Sequence, residues 1–236
     1  MEFCGASDKR FSFDRAQHLL HMSSAKAVNN SLLSSMYLLE LWLLADNVRE
    51  QCERIFQITQ IGPGETFLRV SKEVHGLIAS ILSNAANIKK LLDTRASQRK
   101  HESKIAYAMR QRRSKALSDI LNGIELEFLL ESKVRNTLEH FDEYLDEADE
   151  LVTIKGHPTA TLAVSNMVLS HWDSMAGESI YPIRVYIVSE RKFYNMKWSI
   201  DLGKIHAESL LIVERFKSNP ETEMLTETGA ICVRLK

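Results

Sequence analysis

The scarcity of helix-breaking residues constrains the fold of this chain more than any other feature of its sequence. Only four prolines and nine glycines occur among its 236 residues. Long segments without either residue are typical of long helices. Segments 25–60 and 66–92 also carry apolar residues at spacings near 3.6, the helical period. The Gly-Pro-Gly turn within 61–65 separates them, so the sequence predicts a long helix on each side.

Two further helices are predicted in the first two thirds of the chain. A short one covers about 13–24, and a longer one begins within 105–114 and continues past Leu130. The segment 124–151 contains no breaker, which leaves open whether that helix continues further along the chain. The helix at 66–92 and the one after it pair naturally as antiparallel neighbours in a bundle.

The pattern of residues changes after about residue 155. The segment Tyr181–Trp198 is rich in β-branched and aromatic residues around a polar Ser-Glu-Arg-Lys centre, which predicts a β-hairpin. A helical pattern returns from Asp201 or Leu202 onwards. An isolated hairpin is marginally stable in water, so it must pack on the bundle or on another chain.

These patterns together predict a mainly α-helical protein, an up-and-down bundle with a small C-terminal β-hairpin and helix. The bundle is expected to span residues 1–155. Residues 156–236 are expected to form a C-terminal extension that packs on the bundle, within the same domain or as a small subdomain.

Composition excludes several classes of protein. The formal net charge is −1, so there is no overall electrostatic preference for nucleic acid or membrane. The most apolar run, 32–45, includes Glu40 and is shorter than the roughly 20 residues of a membrane span. The N-terminus lacks the residue order of a signal peptide. Cys4, Cys52 and Cys232 are odd in number and far apart, as expected of reduced thiols in a cytoplasmic protein.

One short segment, Val134–Asp149, carries polar residues that do not face the core of the predicted bundle. At about 100° per residue, a helix places its apolar residues on one stripe and three polar residues elsewhere. The apolar residues are Val134, Leu138, Phe141 and Leu145. The polar residues are Arg135, Asn136 and His140, which are expected to face solvent, a cleft or a partner chain.

This set of residues fits RNA cleavage without a metal. The imidazole of His140 is the type of group that moves protons as a general acid or base. The guanidinium of Arg135 can bind phosphate and stabilise the charge that develops on it, while Asn136 orients one of the two. The RNA 2′-hydroxyl would serve as nucleophile, which restricts the substrate to RNA. No cofactor or metal motif is present, so neither is expected.

A basic segment precedes this motif. Eight lysines and arginines lie within 95–115 against Glu102, whereas 119–150 contains eleven acidic residues. The basic segment is either an RNA-binding surface or a solvated helix that the acidic block offsets. The candidate RNA-binding residues are Arg110, Arg112, Arg113 and Lys115.

The stretch "RNTLEH", from Arg135 to His140, resembles the R-x(4–6)-H signature of the HEPN superfamily, and the similarity extends over about 25–150. The resemblance implies a homodimeric endoribonuclease in which two copies of Arg135, Asn136 and His140 meet at the dimer cleft. It also implies a toxin or defence effector that an antitoxin or other regulatory protein restrains. Glu139 and Glu143 depart from a clean active-site face, because they can pair with Arg135 and repel phosphate.

A non-catalytic reading of the same residues stays open. Arg135 and Glu139 at i,i+4 also form an ordinary surface ion pair of a helix. Inactive and binding members occur in the same superfamily, and a fold does not determine a function. The alternative is therefore a non-catalytic HEPN-like helical dimer that binds a partner protein or a nucleotide.

Overall fold

A computed structural model describes residues 32–93, 95, 97–156 and 159–229. The short helix predicted at 13–24 and two of the cysteines, Cys4 and Cys232, lie outside these residues. Cys52, the third cysteine, is free and buried, and its burial raises the pKa of its thiol to about 12.

Four strands follow one another between two groups of helices in the described chain, and one short strand lies between the first two helices. The helices are α1 (Leu32–Ile58), α2 (Lys72–Leu91), α3 (Lys104–Ile120), α4 (Lys133–Glu139), α5 (Phe141–Asp149), α6 (Leu202–Ser218) and α7 (Pro220–Thr228). The strands are β1 (Leu68–Val70), β2 (Leu162–Leu169), β3 (Ile180–Ile187), β4 (Lys192–Asn195) and β5 (Trp198–Asp201). A π-helical turn, Glu150–Ile154, follows α5, and a 3₁₀ turn, Trp172–Met175, connects β2 to β3.

The five strands form one mixed sheet in the order β1-β2-β3-β4-β5. Strands β2 and β3 are parallel, and the other neighbouring pairs are antiparallel. The prediction of a mainly α-helical bundle with a small hairpin is therefore wrong, since the chain has an α/β fold. The predicted hairpin exists as β3 and β4, but β2 pairs alongside it and extends it into a sheet.

The sheet buries side chains on both faces. Val168, Tyr186 and Phe193 pack into the main core with α1, α2 and α6. Val185 and Ile187 lie on the other face in a second cluster, which Trp172 of the 3₁₀ turn packs against. Main-core residues come from both sides of position 155, where the sequence predicted the extension to begin.

Two helix boundaries differ from the prediction for identifiable reasons. Helix α2 starts at Lys72 rather than near 66, because the Ser71 side chain accepts a hydrogen bond from the Val74 N–H at 3.3 Å and the residues before it join the sheet. Helix α3 ends at Ile120 and does not continue past Leu130. The chain turns at Gly123, whose φ of +80° suits glycine.

The segment after α3 is hydrogen-bonded to a carboxylate that lies about 80 residues later in the sequence. Glu208, on α6, accepts hydrogen bonds from the backbone N–H groups of Glu127, Phe128 and Leu129 at 3.0, 3.0 and 2.7 Å. We call residues 121–132 the α3–α4 loop. Because these three N–H groups bind a side chain and not carbonyls of a preceding turn, residues 127–129 stay outside any helix despite their helix-forming sequence.

Candidate functional site

Helix α4 contains Arg135 and Asn136 of the predicted motif, and its buried side packs against the sheet. Val134 and Thr137 are buried there. The Thr137 hydroxyl donates to the Val134 carbonyl at 2.6 Å and accepts from the Asn195 amide of β4 at 2.7 Å. Asn195 and Thr137 have no exposed surface, so this bond fixes the position of α4 on the sheet.

Thr137→Val keeps the shape of the side chain and removes its hydroxyl. The buried Asn195 amide then loses its partner, so we expect the free energy of unfolding to fall by about 1–3 kcal/mol. Urea unfolding followed by circular dichroism measures the change. Thr226→Val is the control, because the Thr226 hydroxyl donates at 2.7 Å to Glu223 within its own helix. Equal losses in both variants would show that the Thr137–Asn195 bond contributes nothing specific.

The exposed side of α4 forms one wall of a cleft of about 600 Å³. Arg135 Nη2 donates to Asn136 Oδ1 at 3.1 Å and lies 3.2 Å from Glu139 Oε2. Arg135 Nε is buried and has no hydrogen-bond partner among the described residues. Arg135 and Asn136 both line the cleft, so the structure brings these two predicted residues together.

The opposite wall of the cleft adds positive charge. Lys89 and Lys90, at the end of α2, and Arg95, beyond it, line the cleft with Asp93. Hydrogen bonds from Arg95, with help from Arg99, hold the pKa of Asp93 well below its usual range. Four cationic side chains, counting Arg135, thus face one carboxylate, which gives the cleft a formal charge of about +3.

Lys89 also joins the cleft to the α3–α4 loop. Its Nζ donates to the Leu130 carbonyl at 2.8 Å and to the Ser132 hydroxyl at 3.2 Å. Ser132 directly precedes α4, so the loop that Glu208 anchors also sets the entry into the motif helix. Lys89, Lys90 and Glu208 were not predicted from the sequence, because they reach the motif region only through the tertiary structure.

His140 lies apart from the cleft. The predicted continuous helix over 134–149 is interrupted there, because His140 has φ −108° and ψ 44° and separates α4 from α5. Its side chain is 59% exposed, with Nδ1 3.6 Å from Glu143 Oε1. It is not among the described residues that line the cleft. At 1.5 Å per residue, about 7.5 Å along the helix axis separates it from Arg135.

The expected apolar stripe of the motif helix is only partly buried. Val134 is buried in the main core and Leu138 packs against that core, whereas Phe141 packs in a separate cluster. Leu145 is exposed. The break at His140 explains this difference, since residues beyond it no longer follow the rotation of α4.

The four predicted RNA-binding residues divide into two pairs. Arg110 is 5% exposed and donates to Glu102 at 2.9 Å, which lowers the pKa of Glu102 to about 2. Arg113 donates to the Lys90 and Leu91 carbonyls that end α2. These two arginines hold the segment that carries Asp93 and Arg95. The other two, Arg112 and Lys115, are exposed and remain predictions for RNA contact.

Comparisons with models of protein families, with curated proteins and with solved structures find no match to this chain. The described residues contain no group of three or more histidine, cysteine, aspartate or glutamate side chains placed to hold a metal ion. None of the helices in the described ranges is long and apolar enough to cross a membrane.

Proposed function

We propose that this chain is a metal-independent RNA endonuclease of HEPN type that acts as a homodimer. The observation that carries the proposal is the pairing of Arg135 with Asn136 in a cleft whose charged lining is four cations and one carboxylate. A cleft of this charge attracts a phosphodiester strand. The Arg135 side chain is 20% exposed, and its guanidinium is a charged donor that can bind a phosphate oxygen.

The ion pair with Glu139 does not prevent this role. Glu139 is 54% exposed, and an exposed pair of this kind contributes about 0–1 kcal/mol. A phosphate bound by a guanidinium forms shorter and stronger charge-assisted bonds. The phosphate therefore displaces Glu139 from Arg135 at small cost, and Asn136 then keeps the guanidinium oriented through its 3.1 Å bond.

The proposed reaction needs two proton transfers. The RNA 2′-hydroxyl attacks the adjacent phosphorus and loses its proton to one imidazole, while the P–O5′ bond breaks and O5′ receives a proton from another. The products are a 2′,3′-cyclic phosphate and a 5′-hydroxyl. Each protomer carries a single His140, which lies outside the cleft of that protomer, so the reaction needs a second copy of the chain to supply the second imidazole.

Cleavage of RNA by the purified protein tests this proposal. We expect cleavage in the presence of EDTA, no cleavage of DNA, and products that end in a 2′,3′-cyclic phosphate. Arg135→Lys should lose about 10²-fold in rate, because an ammonium cannot reproduce the planar contact of a guanidinium with phosphate. Arg49→Lys is the matched control, since Arg49 is also 20% exposed and pairs with an i+4 glutamate.

Two results would contradict the proposal. Equal rates in the Arg135→Lys and Arg49→Lys proteins would place the activity at another site. Inactivity of the wild type, after any bound inhibitor has been removed, would favour the second candidate function. That candidate is a non-catalytic dimer that binds a nucleotide or a partner protein, and the position of His140 outside the cleft favours it.

A further inference from the structure

Two neighbouring strands of the sheet contain a matched irregularity. In the parallel pair of β2 and β3, Ser165 is opposite Ile183 and Met167 is opposite Val185. The residues between them, Asn166 and Arg184, both have positive φ, at 57° and 60°. The left-handed region costs a non-glycine residue roughly 1–2 kcal/mol, and two such residues side by side in a sheet imply a compensating use.

The irregularity places Arg184 at the end of the motif helix. Its guanidinium carbon lies 3.7 Å from the centroid of the Phe141 ring. Phe141 directly follows His140 and opens α5. Arg184 therefore lies at the α4–α5 junction, on the opposite end of α4 from the cleft that Lys89 and Ser132 help to form.

Arg184 has no anionic partner in the described part of the chain. No hydrogen bond or ion pair to it is present there, and its Nε is buried without a partner. Burial lowers its pKa, and no neighbouring carboxylate counters that effect. Removing the Nε donor from water without a hydrogen-bond partner is unfavourable, and an anion bound to the guanidinium offsets part of that cost.

We propose that Arg184 is a second phosphate-binding residue, which contacts the RNA strand on the His140 side of the phosphate held by Arg135. This inference rests on the proposed function. Helix α4 has seven residues and is about 10 Å long, a span that neighbouring phosphates of one strand can bridge. Two cations at its two ends would hold the strand along α4 and across His140.

Binding of a fluorescein-labelled 2′-O-methyl oligouridine, followed by anisotropy over a series of salt concentrations, tests this assignment. The probe lacks the attacking hydroxyl, so binding is measured without cleavage. We expect Arg184→Gln to weaken binding and to reduce the slope of log K against log salt by about 0.7, the value for one phosphate contact on a single strand. Arg184→Lys should retain most of the slope, because it keeps the charge.

Arg191→Gln is the matched control. Arg191 also has positive φ, at 52°, and its guanidinium carbon also lies over a phenylalanine ring, 4.3 Å from the centroid of Phe56. It lies between β3 and β4 and packs on Phe56 of α1, so its replacement should leave the slope unchanged. Should Arg184→Gln fail to fold, Arg184→Asn makes the same test with a residue that tolerates positive φ.

The outcomes separate this inference from the proposed function. An Arg184-dependent slope in a protein that does not cleave unmodified RNA would reject the nuclease and support the phosphate contact. Cleavage of RNA together with an unchanged slope in Arg184→Gln would overturn the assignment of Arg184 alone. A wild-type protein that does not bind the probe would overturn it as well.

Discussion

His140→Ala is expected to slow RNA cleavage by about 10²–10⁴-fold, the usual contribution of a general acid–base catalyst. The same substitution should change the free energy of unfolding by less than about 0.5 kcal/mol. Its side chain is 59% exposed and its nearest acidic oxygen, on Glu143, is 3.6 Å away, so little packing or pairing is lost. Initial rates on a fluorogenic RNA and thermal unfolding measure the two effects.

His171→Ala controls for the loss of an exposed imidazole elsewhere, on the connection between β2 and β3. Its rate should match that of the wild type. If His140→Ala and His171→Ala cleave RNA equally fast, His140 does not transfer protons in the reaction. If His140→Ala unfolds at a much lower temperature, the loss of rate reports on structure and not on catalysis.

Glu208→Gln should produce the largest loss of stability that the structure indicates, about 2–4 kcal/mol in the free energy of unfolding. The Glu208 carboxylate accepts three backbone N–H groups of the α3–α4 loop. Hydrogen bonds to a charged group contribute about 1.5–3 kcal/mol each, and partial exposure reduces their sum. Glutamine removes the charge and replaces one accepting oxygen with a group that only donates.

Urea unfolding of Glu208→Gln and Glu214→Gln measures this effect. Glu214 is an exposed residue on the same helix, and its substitution should change stability by less than about 0.5 kcal/mol. The Glu208 variant should also bind RNA more weakly, because the loop it releases supplies the two oxygen partners of Lys89 in the cleft wall. Equal stability of the two variants would show that the loop holds its shape without Glu208.

Much of the secondary structure followed from local sequence pattern. Helix α2 was predicted from its apolar period, and the helix predicted from Asp201 or Leu202 begins at Leu202, where the Asp201 side chain accepts from the Lys204 N–H at 3.0 Å. The hairpin of β3 and β4 was predicted from its β-branched and aromatic residues. These elements depend on interactions within a few residues, which a sequence displays directly.

The complete sheet was not predicted from the sequence, because its other strand pairs join segments that are distant in sequence or involve very short strands. Strand β1 has three residues, all exposed, and pairs with β2 about 100 residues later, where Arg69 is opposite Val168. The local sequence pattern predicts these residues as the start of a helix, because it does not show that pairing. The same holds for the α3–α4 loop, whose helix-forming sequence is overridden by Glu208 some 80 residues away.

For the candidate site, the sequence by itself determined which residues are the candidates for proton transfer and phosphate binding, and that Arg135 and Asn136 are adjacent on a helix. Only the tertiary structure decided what surrounds them. Folding brings Lys89 and Lys90 to the cleft and buries Arg110. The interruption of the helix at His140 separates its imidazole from the guanidinium of Arg135. Residue identity and local period are encoded along the chain, whereas a cleft depends on contacts between segments that are distant in sequence.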